Sequence, residues 1–196
     1  DFINRRKNGE PLAYIIKEKE FWNENFYVDK NVLDIGTGSG CIILSLLKER
    51  PKFYGTGIDI SKKTIKVAEY NAKILRLTKR IKFYKSDVDN FKIGKYDLIV
   101  SNPPYIKLST LKSLDKDVIG FEPKLALNGG LDGFLQIRKV IMKAKNLIKK
   151  NGKLILEIGF NQKNEVKKIL NKEGFYINKV IKDYGNNDRC IISTKI

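Results

Sequence analysis

Residues 31–50, NVLDIGTGSGCIILSLLKER, join a short apolar strand, a glycine-rich turn and an apolar helix in direct succession. The run NVLDIG is apolar enough for a buried strand of a parallel sheet, and the helical pattern after it ends at Pro51, which cannot continue a helix. A strand, a tight turn and a helix form the repeating unit of α/β sheets. This stretch therefore indicates an α/β fold, and the segments after it continue the alternation.

Four more strand-like runs follow: FYGTGIDI (53–60), IKFYKSD (81–87), YDLIVSN (96–102) and KLILEIG (153–159). Helical patterns cover 62–77, 131–150 and 161–174, with Ser61 as the expected N-cap of the first and Asn151-Gly152 as the expected end of the second. Residues 176–196 contain two strands joined by a Gly-Asn-Asn turn. We therefore expect a doubly wound, mostly parallel seven-stranded sheet with a C-terminal antiparallel hairpin.

Composition sets further limits. The chain has 196 residues, 42% of them hydrophobic, which suits one or at most two domains with a sizeable core. Its two cysteines, Cys41 and Cys190, are too few for a disulfide scaffold and too isolated for a zinc site. With no histidine and no carboxylate cluster at metal-ligand spacing, we expect no metal. No run approaches a membrane-spanning helix and no signal peptide opens the chain, so we expect a cytoplasmic protein without a membrane partner.

The chain is strongly basic. Lys and Arg number 39 against 22 Asp and Glu, a formal net charge of +17. Such a balance is compatible with nucleic-acid binding, but most of the positive charge is lysine, scattered along the sequence, whereas base and phosphate recognition favours arginine. Nucleic-acid binding is therefore possible but not required.

Acidic and glycine residues follow three predicted strands at the edge where ligands bind in such sheets. Asp34 precedes the glycines of LDIGTGSG, namely Gly36, Gly38 and Gly40. Glycines allow a tight turn and close contact with a ligand, but a carboxylate here would repel a phosphate and attract a cation. Asp59 is placed to accept hydrogen bonds from ribose hydroxyls, and Asp87 from an adenine amino group. Each aspartate could instead be a turn residue or helix cap. Together they fit adenosine with a positive, phosphate-free tail, which describes S-adenosylmethionine.

The fourth predicted strand ends in SNPPY (101–105). Proline cannot donate to a strand ladder and pushes the preceding residue into an extended conformation, so two prolines form a stiff elbow with free carbonyls. A plain strand stop is the alternative explanation for Pro-Pro.

With these motifs the chain resembles the class I S-adenosylmethionine-dependent methyltransferases, in which SNPPY serves methylation of planar nitrogens. Both NGEPLAYIIKEKEFW (8–22) and GFEPKLALNGGLDGF (120–134), together with DYGNNDR (183–189), resemble the protein-glutamine N5-methyltransferases, the PrmC/HemK family. That resemblance implies transfer of a methyl group to the glutamine of a Gly-Gly-Gln loop in peptide chain release factors, leaving S-adenosylhomocysteine.

The resemblance also implies roles for individual residues. The Asn102 side-chain oxygen and the Pro103 carbonyl would orient the glutamine amide, beside Pro104, and Tyr105 would stack on that amide. Phe26 would flank the same pocket, although a buried core aromatic is the alternative. The expected cofactor contacts are Asp34, Gly36, Thr37, Gly38, Gly40, Asp59, Ile60, Asp87, Val88 and Asn102.

Other classes use the same elbow. A related glutamine methyltransferase that acts on a ribosomal protein shares NPPY but resembles this chain less upstream. A nucleic-acid adenine or guanine methyltransferase would suit the charge, yet no length remains for a target-recognition domain. A non-catalytic adenosylmethionine-binding protein would not need Asn102.

Two departures from the family are expected to matter. The family has an N-terminal helical domain, and this chain starts near the end of it. The resemblance implies that residues 1–30 are the end of that domain plus a connecting segment, and that 31–196 are the methyltransferase domain. The family also carries an RPETE-like segment before the first strand, for which FYVDKNVLDIG has no room. We therefore expect a discontinuity in the chain between Asp29 and Asp34.

Overall fold

A computed structural model describes residues 30–111 and 128–196. Its helices and strands, in chain order, are β1 (Lys30–Ile35), α1 (Cys41–Glu49), β2 (Phe53–Asp59), α2 (Lys62–Ile74), β3 (Ile81–Lys85), β4 (Tyr96–Ser101), α3 (Leu108–Leu111), α4 (Leu135–Leu147), β5 (Ile148–Glu157), α5 (Lys163–Lys172), β6 (Phe175–Lys182) and β7 (Asp188–Lys195).

The strands form one seven-stranded sheet in the order β3-β2-β1-β4-β5-β7-β6. Strands β1 to β5 pair in parallel, and β7 runs antiparallel to both β5 and β6. The doubly wound sheet with its reversed C-terminal hairpin is confirmed. Strand order reverses between β1 and β4, and ligands of such sheets bind at that crevice, outside the carboxyl ends of the strands.

Helices cover both faces of the sheet because neighbouring residues of a strand point to opposite sides. In β1, Val32 packs in a cluster with Ile43 and Leu47 of α1. The next residue, Leu33, packs in another cluster with Ile137 of α4 and residues of α5. Both β1 residues are fully buried, so β1 lies in the middle of the core between the two helical layers.

The predicted end of the long helix is wrong. Helix α4 ends at Leu147, and the next residue, Ile148, already begins β5. Burial of Ile148 against the core favours immediate pairing with β4, and Asn151, at a φ of 61°, lies within the strand. The pairing shifts from Tyr96↔Ile148 to Leu98↔Lys153, so Asn151 and Gly152 belong to a bulge in β5 rather than to a helix stop.

Other local predictions are confirmed. Ser61 caps α2, because its Oγ accepts a hydrogen bond from the Thr64 N–H at 3.3 Å. The hairpin turn follows Asp183, whose carbonyl accepts from the Asn186 N–H at 2.9 Å.

The start of β1 bears on one expectation. Residues Lys30 to Ile35 form one strand in register with β2, and the discontinuity expected between Asp29 and Asp34 stays a prediction. The polar residues at its start are accommodated because Lys30 is half-buried and Asn31 is exposed. Asp29 lies outside the described residues, as does the rest of the expected N-terminal segment.

Candidate active site

The ends of β1 and β4 lie side by side at the switch point, the place where the strand order of the sheet reverses. Ile35 is the register partner of Ser101, and the Ser101 Oγ donates a buried hydrogen bond of 2.7 Å to the Ile35 carbonyl. Gly36 directly follows β1, and Asn102 directly follows β4. The fold therefore brings the glycine-rich loop and the Asn-Pro-Pro-Tyr elbow to adjacent positions.

The glycine-rich loop forms an open turn. Gly36 and Gly38 have φ values of +73° and +55°, and a Cβ added to either would meet no other atom within 4 Å. The Gly36 and Thr37 N–H groups both donate to the Ile58 carbonyl at 2.9 Å, which fastens the loop to β2. On its other side, the Asn71 Nδ2 donates to the Ser39 carbonyl at 2.9 Å. A fixed backbone with open space over its glycines suits a ligand that lies against the loop.

Asp34 is buried beneath this loop at 1% exposure. One carboxylate oxygen accepts a 2.7 Å hydrogen bond from the Thr37 hydroxyl, and Oδ1 has no partner among the described residues. Burial raises the pKa of Asp34 to about 7, against the opposing effect of the Thr37 hydrogen bond. A buried carboxylate with an unpartnered oxygen is stabilised by a nearby cation.

Asp59 lies at the end of β2 and binds the glycine-rich loop at Gly38. Its two oxygens accept hydrogen bonds from the Gly38 N–H at 3.0 Å and the Ser61 N–H at 2.8 Å. The carboxylate is thus held in one orientation and keeps lone pairs for a ligand. Beside it, the Ile60 side chain is 58% exposed and offers an apolar surface.

Asp87 follows β3 and serves as a turn residue. Its Oδ1 accepts from the Asp89 N–H at 2.8 Å, and its carbonyl accepts from the Asn90 N–H at 3.2 Å. Val88 is half-buried and packs against the core. Asp87 therefore does act as a turn residue, which was the alternative to a ligand contact. Its predicted contact with adenine stays a prediction.

The elbow combines one exposed and three buried or half-buried residues. Asn102 is exposed, Pro103 is buried, and Pro104 and Tyr105 are half-buried. No hydrogen bond to the Asn102 side chain is found within the part of the chain that the structure describes. Its amide group is consequently available to a substrate, while the residues after it are fixed in the fold.

Tyr105 is anchored by residues that the sequence analysis did not select. The Gln162 Nε2 donates to the Tyr105 carbonyl at 3.2 Å, and the Arg189 Nη1 donates to the Tyr105 hydroxyl at 3.4 Å. Arg189 belongs to DYGNNDR, so that motif was a signal for it, and it is itself held by Asp183 at 3.0 Å. Gln162 carried no signal, because it falls at the start of a predicted helix.

The glycines of the NGGLDG stretch allow a close approach to the elbow. A Cβ on Gly129 would lie 2.8 Å from the Tyr105 carbonyl carbon, and one on Gly133 would lie 2.8 Å from the Tyr105 oxygen. The Gly129 N–H donates to the Ile106 carbonyl at 2.8 Å, and the Leu108 N–H donates to the Gly130 carbonyl at 2.9 Å. Only glycine fits at these contacts, so the downstream motif packs directly on the elbow.

Several predicted features fall elsewhere. Phe26, the upstream block 8–22 and residues 120–127 of the downstream block lie outside the described residues. Within 30–111 and 128–196, no cluster of His, Cys, Asp and Glu side chains suits a metal ion. In those same ranges, no helix has the length and apolar character needed to cross a membrane.

Comparisons with known proteins assign the chain to a family. Residues 28–191 match a family model described as a methyltransferase domain. The chain is 36% identical to the release factor glutamine methyltransferase of Buchnera aphidicola subsp. Schizaphis graminum, in an alignment that covers 100% of this chain and 79% of the relative. The chain belongs to the release factor glutamine methyltransferase family. It is therefore an enzyme, a methyltransferase.

Other relatives agree with this family. A release factor glutamine methyltransferase of Caulobacter vibrioides is 33% identical over 100% of this chain and 77% of its own length. Among solved structures, magnesium protoporphyrin IX methyltransferase from Synechocystis PCC 6803 with bound SAM is similar, with a TM-score of 0.58, 18% identity, and coverage of 86% of this chain and 71% of that one. That similarity shows the shared class I methyltransferase fold.

The alignment also bears on the departure expected from the sequence. It extends over 223 positions, more than the 196 residues of this chain, all of which it includes. The aligned region therefore contains positions of the Buchnera relative that have no counterpart in this chain.

Proposed function

We propose that this protein transfers a methyl group from S-adenosylmethionine to the side-chain amide nitrogen of the glutamine in the Gly-Gly-Gln motif of peptide chain release factors. The names of its relatives support the substrate, and the arrangement of the switch point supports the chemistry. The observation that carries the proposal is the adjacency of Gly36 and Asn102. Gly36 lies in the open glycine loop, and Asn102 is the exposed residue of the elbow.

The loop side of the site fits the cofactor. The buried Asp34, with one unpartnered oxygen, would neutralise the positively charged methionine end, over the open turn at Gly36 and Gly38. Asp59 is already oriented by two backbone donors and would accept the ribose hydroxyls. The exposed Ile60 would pack on adenine, beside Asp87 and Val88. The cofactor supplies an electrophilic methyl group on a sulfonium centre.

The elbow side orients the glutamine. An amide nitrogen is a poor nucleophile because its lone pair is delocalised into the carbonyl. The Asn102 side-chain oxygen and the Pro103 carbonyl would accept the two N–H groups, which directs the nitrogen toward the loop side and stabilises the charge that grows on it. As the new N–C bond formed, the S–C bond to the methyl group would break and S-adenosylhomocysteine would leave. The alkylated nitrogen would then be acidic and would release a proton to solvent, so no strong base is needed. Tyr105 would stack on the amide and exclude water.

The direct test is methyl transfer with labelled S-adenosylmethionine. We expect label in a peptide chain release factor, and mass spectrometry should locate one methyl group on the glutamine of its Gly-Gly-Gln motif. The control is the same release factor with that glutamine replaced by alanine, which should accept no label.

Two further substrates test the alternatives. A ribosomal protein and tRNA, incubated under identical conditions, should remain unlabelled. Label in either one, with the release factor unmodified, would contradict the proposed substrate while leaving the methyltransferase assignment in place.

A further inference from the structure

We infer that Gln162 is a positioning residue for the substrate elbow, which it joins to two other loops through its side-chain amide. The inference rests on the proposed function, because it assigns to Gln162 a role in presenting Asn102 and Pro103 to the substrate. Among the described residues, the Gln162 side chain forms hydrogen bonds with Gly159, Tyr105 and Gly133, none of which is a proposed cofactor contact.

The amide of Gln162 is buried and almost fully used. The side chain is 5% exposed. Its Nε2 donates to the Tyr105 carbonyl at 3.2 Å and to the Gly133 carbonyl at 3.0 Å, and its Oε1 accepts from the Gly159 N–H at 2.9 Å. These partners follow β4, precede α4 and follow β5, respectively. One side chain therefore fixes three loops at the carboxyl edge of the sheet.

The position of Gln162 breaks a local rule of helix formation. It is the N-cap residue of α5, where Ser, Thr, Asp or Asn would normally accept a hydrogen bond from the first helical turn, yet its side chain makes no such bond. Its side chain makes contacts with the elbow and its neighbouring loops instead. Departures from local preference of this kind concentrate at functional sites.

Because the Tyr105 carbonyl is held in place, the residues of the elbow before it also have less conformational freedom. Only Pro104 separates Tyr105 from Pro103, and proline has a restricted φ, so little freedom remains between the anchored carbonyl and the proposed amide acceptor. The Tyr105 ring also lies close to Gly159, a partner of Gln162, since its Cδ2 would be 3.3 Å from a Cβ built on that glycine. Loss of the three hydrogen bonds should loosen both groups.

Two substitutions test this role. Gln162→Met keeps the volume and removes all three hydrogen bonds. Gln162→Asn is one methylene shorter, so it cannot span the same partners, but asparagine is a favoured N-cap residue that can stabilise α5. For Gln162→Asn we expect a smaller loss of melting temperature than for Gln162→Met, because the N-cap offsets part of the lost hydrogen bonding. We also expect an unchanged affinity for S-adenosylmethionine and, at a temperature where the variant is fully folded, a fall in kcat on the release factor of about ten- to a hundredfold.

Ser193→Ala is the matched control. Ser193 is fully buried, and its hydroxyl donates to the Leu154 carbonyl at 3.3 Å, so the substitution removes a buried hydrogen bond between β7 and β5 without touching the elbow. We expect its kcat to match that of the native enzyme. The inference is overturned if both Gln162 variants retain native kcat, if their kcat falls only in step with their melting temperature, or if cofactor affinity is lost.

Hydrogen exchange separates this inference from the proposed function. Backbone amides in 102–108 and at Gly159 should exchange faster in both Gln162 variants than in the native protein and in Ser193→Ala. If the native protein methylates no release factor but this exchange difference is found, the proposed function fails and the positioning role stands. Unchanged exchange overturns the positioning role, whatever the substrate.

Discussion

The carboxyl edge of the sheet has two halves that are built differently. In the half formed by β1 and β2, Asp34 is held by Thr37, 3 residues further along, and Asp59 by Ser61, 2 residues further along. In the half formed by β4 and β5, Tyr105 is held by Gln162 and Arg189, which lie 57 and 84 residues away in sequence. The proposed cofactor half also uses contacts across 21 to 32 residues, from Gly38 to Asp59 and from Asn71 to Ser39. The elbow depends on contacts that are longer still, between parts of the chain that only the fold brings together.

This difference separates the effects expected from substitutions. A change in the elbow or in its remote anchors should alter turnover and leave cofactor affinity intact. A change at the ends of β1 or β2 should alter cofactor affinity first. Measuring kcat and cofactor affinity for the same variants therefore tests whether the two halves act independently.

The largest effect is expected at Asn102. Asn102→Ala removes an exposed acceptor at the reacting amide, so kcat should fall about a hundredfold or more, the usual loss when one preorganised polar group at a reacting centre is removed. Affinity for S-adenosylmethionine, measured by calorimetry, should stay nearly unchanged, because most of the proposed cofactor contacts lie at the ends of β1 to β3. Asn102→Asp keeps the shape and acceptor capacity, and partial activity is expected.

Two results would contradict the role assigned to the elbow. If Asn102→Ala lost cofactor binding or unfolded, the elbow would be a structural strand stop. If the variant methylated a release factor at the native rate, the role assigned to Asn102 would be wrong.

The next effect concerns Asp34 and the pH dependence of stability. Its pKa is about 7 in the folded protein against an ordinary value of 3.8, with burial as the main cause. Between those pH values the folded state binds the proton more strongly, so the stability from Asp34 is complete below pH 4 and is lost as pH rises through 7. The loss should be on the order of a few kcal/mol.

Asp34→Asn provides the comparison, because its amide does not titrate. The free energy of unfolding of the native protein should fall relative to that of the variant as pH rises from 4 to 8, measured by urea denaturation. Adding S-adenosylmethionine at pH 8 should restore stability to the native protein more than to the variant. Parallel pH profiles of the two proteins would remove Asp34 as the titrating group.

A smaller change is expected at Asp59. Asp59→Ala removes the proposed acceptors for the ribose hydroxyls, so cofactor binding should weaken by roughly 1–3 kcal/mol. Calorimetric titration measures the loss, and kcat at saturating cofactor should change little. Unchanged affinity would exclude Asp59 from the site and would leave its bonds to Gly38 and Ser61 as a purely structural role.

The same contrast between local and remote contacts explains what the sequence could predict. The strands, the Ser61 cap and the aspartates at the strand ends follow from local patterns, because the signals for them are short stretches of sequence. The end of α4 could not be predicted, since burial of Ile148 and its pairing with β4 decided it against the local Asn-Gly signal. Gln162 was missed for the same reason: its hydrogen-bond partners lie in three loops that only the fold brings together.

The smallest effect tests the weaker of the two anchors on Tyr105. The Arg189 Nη1 lies 3.4 Å from the Tyr105 hydroxyl and also donates to the Ile158 carbonyl at 3.2 Å, while Nε and Nη2 bind Asp183. The arginine side chain is 29% exposed, so its ion pair should add little stability.

Arg189→Lys keeps the charge but cannot reach all three partners with one ammonium group. We expect kcat to fall only about two- to fivefold, because Gln162 still holds the Tyr105 carbonyl, and cofactor affinity to stay native. Combined with Gln162→Asn, the loss of kcat should exceed the product of the single losses, because either anchor alone still restrains Tyr105. Strictly multiplicative losses in the double variant would show that the two anchors act on turnover independently, and the elbow would not be the shared element through which they work.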